Sequence, residues 1–192
     1  MNEKQWTESI RDYLISNNLG ENIKVDILQK LPYAMEITQY SLDFKPNNEK
    51  MNIKPFETDM LIYEQSNDII IPRIVIESKL NKVTTHDAIT YSYKAQSHKN
   101  ITPFLRYGIM IGNRKDYPLP GRLFRHGANF DFMISFKKEE LSEKEKSSFI
   151  ELLKKEITYS QNIQEMLLNS RSKDRKRYFL MQKKMFLKEI DN

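Results

Sequence analysis

Arg73-Ile-Val-Ile-Glu77-Ser-Lys79-Leu80 decides how this chain is read. Ile74, Val75 and Ile76 form an unbroken apolar, β-branched run, the mark of a strand buried on both faces at the centre of a sheet. The same strand then becomes charged. Alternate residues of an extended chain point the same way, so Glu77 and Lys79 share one face. A second strand is expected at Phe56–Glu64, and the turn signal Gln65-Ser66-Asn67-Asp68 makes the pair a hairpin. Pairing brings Asp59, of Glu57-Thr58-Asp59, alongside Glu77 and Lys79. Two carboxylates at one point suit a hard divalent cation such as Mg²⁺, and a lysine beside them suits the positioning or deprotonation of a water. Charges on a buried strand are costly unless paired or metal-bound, which separates this trio from an exposed ion pair.

Other elements follow from this hairpin outward. Residues 3–16 read as a helix with an apolar stripe of Trp6, Ile10, Tyr13 and Leu14, stopped by Asn17-Asn18-Leu19-Gly20. Residues 21–33 carry no decisive pattern, and a short helix ending before Pro32 is the expectation. Met35–Phe44 reads as a strand, turned by Pro46-Asn47-Asn48. After Glu77-Ser78-Lys79, Thr84, Thr85 and Asp87 start a helix whose face of Ala88, Ser92, Ala95 and Lys99 allows close approach to a sheet. Leu105–Ile111 is a further strand. A Pro, Gly and Arg-rich loop from Pro118 to Gly127 leads to a last strand at about Asp131–Phe136. From Ser142 the pattern is helical, in two segments that break near Ser160 or Asn169–Ser172.

At 192 residues the chain is one substantial domain. The absence of cysteine excludes structural disulfides and thiolate zinc sites. No signal sequence opens the chain, and no apolar run approaches about 18 residues, so a soluble, cytoplasmic protein with no membrane partner is expected. The net charge of +5 is unevenly spread: Pro72–His126 carries ten Lys/Arg against three acids, a surplus that suits a polyanion. Lys94 and His98, four apart on one helix face, and Arg122 and Arg125 are the candidates for phosphate contact. Arg171–Lys188 holds eight Lys/Arg interleaved with Tyr178, Phe179, Met181, Met185 and Phe186. It reads as a packed helix with a solvated basic face, with dimer or phosphate contact as its other roles. Neither a nucleotide-binding glycine loop nor a recognisable Ser or Cys nucleophile motif is present.

In this setting Asp59 and Glu77-Ser78-Lys79 resemble the PD-(D/E)xK nuclease superfamily, the restriction-endonuclease-like fold, over roughly residues 3–136. One position departs from the pattern: Thr58 stands where the family's proline would precede the acid. The resemblance implies an α/β protein, a restriction-endonuclease-like core with a central mixed β-sheet flanked by helices at residues 1–140. Residues 141–192 would be a helical C-terminal extension, packed on the core or used in a homodimer. It implies hydrolysis of DNA phosphodiester bonds by Asp59, Glu77 and Lys79. Asp59 and Glu77 would be ligands of Mg²⁺, with Mn²⁺ as substitute, and the Ser78 carbonyl would add a further oxygen. Lys79 would orient the water and offset developing charge. Members often add an acid from the first helix, for which Glu8 is the positional candidate; Glu36 is another candidate for the further acid, and Glu57, on the same strand face as Asp59, is the alternative. A restriction or other defence role is the expectation. DNA repair, recombination or mobile-element processing on the same fold, and a non-catalytic DNA-binding protein, are the alternatives.

Overall fold

Helix α1 (Glu3–Ser16) starts at a reciprocal cap: Gln5 N donates to the Asn2 side chain, and Asn2 N donates to Gln5 Oε1. In this computed structural model, which describes residues 1–115 and 119–170, the chain then runs through β1 (Ile23–Ile27), β2 (Lys30–Ile37), β3 (Met51–Glu57), β4 (Met60–Ser66) and β5 (Ile69–Leu80). Next come α2 (Thr85–Ile101), β6 (Arg106–Gly112), α3 (Gly121–His126), β7 (Phe132–Ser135) and α4 (Glu143–Asn169). Five strands form a mixed sheet in the order β1-β4-β5-β6-β7. β1–β4 and β4–β5 pair antiparallel, β5–β6 and β6–β7 parallel. β2 and β3 form a separate two-stranded ribbon.

The apolar run of β5 sits in the middle position that its sequence predicts. Ile74, Val75 and Ile76 are wholly buried. Ile74 and Ile76 face the layer of α1 and α4, with Trp6, Ile10, Leu14, Phe149 and Leu153. Val75 faces the opposite layer, with Ala88, Ala95, Tyr107 and Leu123. The result is an α/β protein with helices on both faces of the sheet. Close approach is built in at Gly112, where a Cβ would lie 2.7 Å from the Trp6 indole. α2 begins at Thr84, which forms a capping box with Asp87, and lays Ala88, Ser92 and Ala95 inward as expected.

Several expected elements differ. Residues 21–33 are β1 and the start of β2 rather than a helix: Ile23, Val25 and Ile27 alternate with polar residues, the period of a strand. Phe56–Glu64 is not one strand. It divides at Thr58-Asp59 into the end of β3 and β4, because Thr58 N and Oγ1 both donate to Gln29 O, at 2.9 and 3.0 Å, and close the base of the ribbon. The strand expected at Met35–Phe44 ends at Ile37. The loop before β7 contains the short helix α3. α4 runs unbroken through Ser160, which is buried beside Arg73 Nη1. α4 also contributes Phe149, Leu153 and Ile157 to the same core cluster as α1, so it packs as one layer of the fold. The segment Arg171–Lys188, with its expected dimer or phosphate contacts, lies outside the described residues. No helix among the described residues is long and apolar enough to cross a membrane.

The central position of β5 has a measurable consequence. Ile76→Ala is expected to lower the unfolding free energy by about 2–5 kcal/mol in urea titrations. Ile53→Ala, at a 58% exposed position on the ribbon, should change it by no more than about 0.5 kcal/mol. Equal losses at the two positions would contradict this core.

Candidate active site

The break between β3 and β4 is what delivers the first carboxylate. β4 pairs with β5 from Met60 opposite Ile76. One residue earlier the backbone has left for the ribbon, and the Asp59 side chain takes over as acceptor: its Oδ2 receives Ser78 N at 2.8 Å and Ser78 Oγ at 3.3 Å. Asp59 therefore stands beside the Glu-x-Lys strand, held by that strand's own backbone.

Glu77 is fully buried. Its Oε1 accepts from Tyr107 Oη of β6 at 2.5 Å and from Lys94 Nζ of α2 at 2.8 Å. Its Oε2 is buried with no hydrogen-bond partner among the described residues. Burial pushes the Glu77 carboxyl above its ordinary value, Lys94 offsets this only in part, and nearby Asp59 pushes the same way. Tyr107 is itself pushed well up, by burial first and by Glu77 second, so it stays a neutral donor.

Lys79 lies on the same face of β5 as Glu77 and reaches the N-terminus of α1. Its Nζ contacts Glu3 Oε1 at 2.9 Å, and Glu3 Oε2 accepts from Leu80 N at 3.1 Å. The Tyr91 ring of α2 meets two cations, with Lys79 and Lys94 Nζ each 5.3 Å from its centroid. Burial pulls the pKa of Lys79 down, but its bonds to Tyr91 and Glu3 outweigh that and hold it above the ordinary lysine value. A lysine held as an ammonium can orient a ligand and stabilise negative charge, and it is poorly suited to deprotonating a water.

The structure thus brings Asp59, Glu77 and Lys79 together. Among the acids considered for the third place, none of the three is the one that reaches Lys79. Glu36 is tied to Asn52 and Lys54 on the ribbon, and Glu57 is exposed, contributing only its carbonyl to Lys94. α1 presents Glu3 rather than Glu8, because Glu3 opens the helix beside the C-terminal end of β5. Tyr91 and Tyr107 carried no sequence signal of their own. Their only mark is that they fall on the helix and strand following Glu77-Ser78-Lys79.

The candidate phosphate contacts divide. Lys94 is inside the site and paired to Glu77. His98 is wholly buried, which corrects its assignment to a surface contact. Its Nδ1 donates to Pro32 O at 3.0 Å, and its ring stacks on Tyr107 at 5.7 Å. Arg122 is half-buried, and its Nη1 donates to Val83 O at 3.0 Å, while Arg125 is exposed on α3. Arg114 donates to Asn81 O, so Arg114 and Arg122 both hold the loop that follows Lys79. Their closeness shows in Arg114, whose pKa is lowered by burial and then by Arg122. Elsewhere the basic segment is structural: Arg73 pairs with Glu64, Lys99 with Asp131, and Arg106 with Asp131 and Glu156.

Among the described residues no group of three or more His, Cys, Asp or Glu gathers as a metal site, so the acidic pair Asp59 and Glu77 is the donor set on offer. Fold and site together define an α/β protein with an acidic pair and a lysine on neighbouring strands of a mixed sheet. No protein-family model matches the chain, and no curated protein matches it significantly.

His98 gives the site's surroundings a pH dependence. Burial lowers its pKa from 6.5, the Pro32 carbonyl opposing. The folded protein then binds a proton less readily than the unfolded chain, so this stability is present above the ordinary imidazole pKa and lost as pH falls through it. Denaturation midpoints of the wild type are expected to fall between about pH 7 and pH 5. His98→Phe gives up the Pro32 bond, about 0.5–1.5 kcal/mol, but should show a shallower fall. Parallel pH profiles for the two proteins would reject this role.

Proposed function

We propose that this chain is a metal-dependent DNA endonuclease with a restriction-endonuclease-like core, serving restriction or another defence task. One observation carries the reading: the fully buried Glu77 leaves Oε2 without a partner among the described residues, with the Asp59 carboxylate close by. A partnerless buried carboxylate oxygen is costly, and a second carboxylate beside it raises the cost, unless a cation faces both. Oxygen donors without His or Cys fit Mg²⁺, with Mn²⁺ as substitute.

Asp59 and Glu77 would hold the ion, which when bound would polarise a phosphoryl oxygen and acidify a water. The chain's own groups do the rest. Ser78 fixes Asp59 Oδ2, and Tyr107 and Lys94 fix Glu77 Oε1. Lys79, pinned by Glu3 and Tyr91, presents a permanent positive charge on the face where negative charge builds as water adds to phosphorus and the bond to the leaving strand oxygen breaks. The order of elements supports the same reading: α1 with its acid, an antiparallel hairpin bearing Asp and Glu-x-Lys, α2, then the parallel β6. Exposed Lys82, Lys115 and Arg125, with Arg122 at the loop after Lys79, offer phosphate contacts near the C-terminal ends of β5 and β6.

Incubation of the protein with plasmid DNA, with and without Mg²⁺, tests the reading directly. Cleavage should require the cation, and Asp59→Ala or Lys79→Ala should abolish it while leaving DNA binding largely in place. Full activity in both variants would sink the site. Arg122→Ala and Arg125→Ala should each reduce the slope of log affinity against log salt by about 0.9 for every duplex phosphate contact removed. An unchanged slope in both would remove α3 from the DNA surface.

A further inference from the structure

Resting on the reading above, the geometry points to Tyr107 and Lys94 as positioning residues that set which divalent cation the site accepts. We infer that by occupying Glu77 Oε1 together they leave Glu77 a single oxygen to offer, and so favour Mg²⁺ over Ca²⁺.

A carboxylate oxygen has two lone-pair sites. On Glu77 Oε1 these meet Tyr107 Oη at 2.5 Å and Lys94 Nζ at 2.8 Å, whereas Oε2 meets no donor among the described residues. The two clamps come from different elements, and both are rigidly seated. The Tyr107 ring is wholly buried, stacked between His98 at 5.7 Å and Phe130 at 6.4 Å. The Lys94 side chain is 14% exposed, lies over Phe56 and Tyr91, and also donates to Glu57 O at 3.1 Å, two residues before Asp59. Lys94 thereby ties the strand bearing Glu77 to the chain leading into Asp59.

Ca²⁺ takes six to eight oxygens and readily uses both oxygens of one carboxylate, while Mg²⁺ takes six at short, near-octahedral positions and retains water. A carboxylate with one oxygen tied down therefore penalises Ca²⁺ more. The ratio of the two affinities isolates this effect. Removing a nearby positive charge changes the attraction for both dications alike, so the Coulomb contribution of Lys94 cancels in the ratio.

Calorimetric titrations of the full chain with MgCl₂ and with CaCl₂, without DNA, test this. In Tyr107→Phe, which keeps the stacked ring, the ratio of Ca²⁺ to Mg²⁺ affinity should rise on the order of tenfold, the usual scale for removing a group that orients a metal ligand. Lys94→Met should move the ratio in the same direction, and it decides the matter if Tyr107→Phe does not fold. A ratio unchanged from wild type in a folded variant overturns the inference and leaves the nuclease reading standing. A wild-type protein that binds neither cation overturns both.

Discussion

A carboxyl group in the middle of a sheet must be held by groups placed for it, and Glu77 is the residue on which this molecule's arrangement turns. It lies on the central strand, wholly buried, with Asp59 raising the cost of its charge. Its relief comes through Tyr107 and Lys94, and each has structural prerequisites. Lys94 reaches Glu77 only because α2 lies close to the sheet, and α2 lies close because Ala88, Ser92 and Ala95 face inward. Tyr107 reaches it because β6 runs parallel to β5, with Val75 opposite Tyr107. A β-α-β unit is therefore fitted around one carboxylate. Even so Oε2 has no partner among the described residues, which a fold built for stability alone would avoid.

The second constraint is the break at Thr58-Asp59. Had Phe56–Glu64 continued as one strand, the Asp59 backbone would have remained in the ladder. Instead Thr58 is buried, and its N–H and hydroxyl both close on Gln29 O. The chain passes from ribbon to sheet at this point, and the Asp59 side chain becomes the acceptor for Ser78 N. His98 and Lys94 fasten the ribbon to α2 from the other side, at Pro32 O and Glu57 O. The ribbon, α2 and the acidic pair are thus mechanically one assembly. Displacement of the ribbon root would move Asp59 relative to Glu77.

What the sequence could and could not reveal follows from how local each signal is. The central strand was legible because three consecutive β-branched residues have few alternatives, and α1 and α2 because caps and apolar spacing are local features. The split of Phe56–Glu64 was hidden, since it depends on Gln29, nearly thirty positions away. β1 was misread although Ile23, Val25 and Ile27 alternate; the doubt lay in its shortness and in Pro32 just beyond. Asp59, Glu77 and Lys79 were found from strand period and hairpin pairing. Glu3, Tyr91 and Tyr107 were not, because each enters the cluster through tertiary packing that no spacing rule encodes.

Charge gives the sharpest case of a bulk property redistributed by the fold. The stretch from Pro72 to His126 is strongly basic in sequence, yet Arg73, Lys79, Lys94, Lys99 and Arg106 are all paired with acids of the fold. They neutralise Glu64, Glu3, Glu77, Asp131 and Glu156, and in doing so Arg73 and Arg106 hold α4 to β5 and β6 while Lys94 holds Glu77. The cations left at the surface of this segment, Lys82, Lys115 and Arg125, lie around the loop leaving β5 and on α3, beside Arg122. Under the proposed reading a phosphate backbone would be drawn to that end of the sheet, where parallel strands direct their C-termini and where Lys79 already stands charged. The basic excess of the sequence thus resolves into two populations: one paired with acids of the fold, Glu77 among them, and a smaller one that under the proposed reading would bring a polyanion to the site.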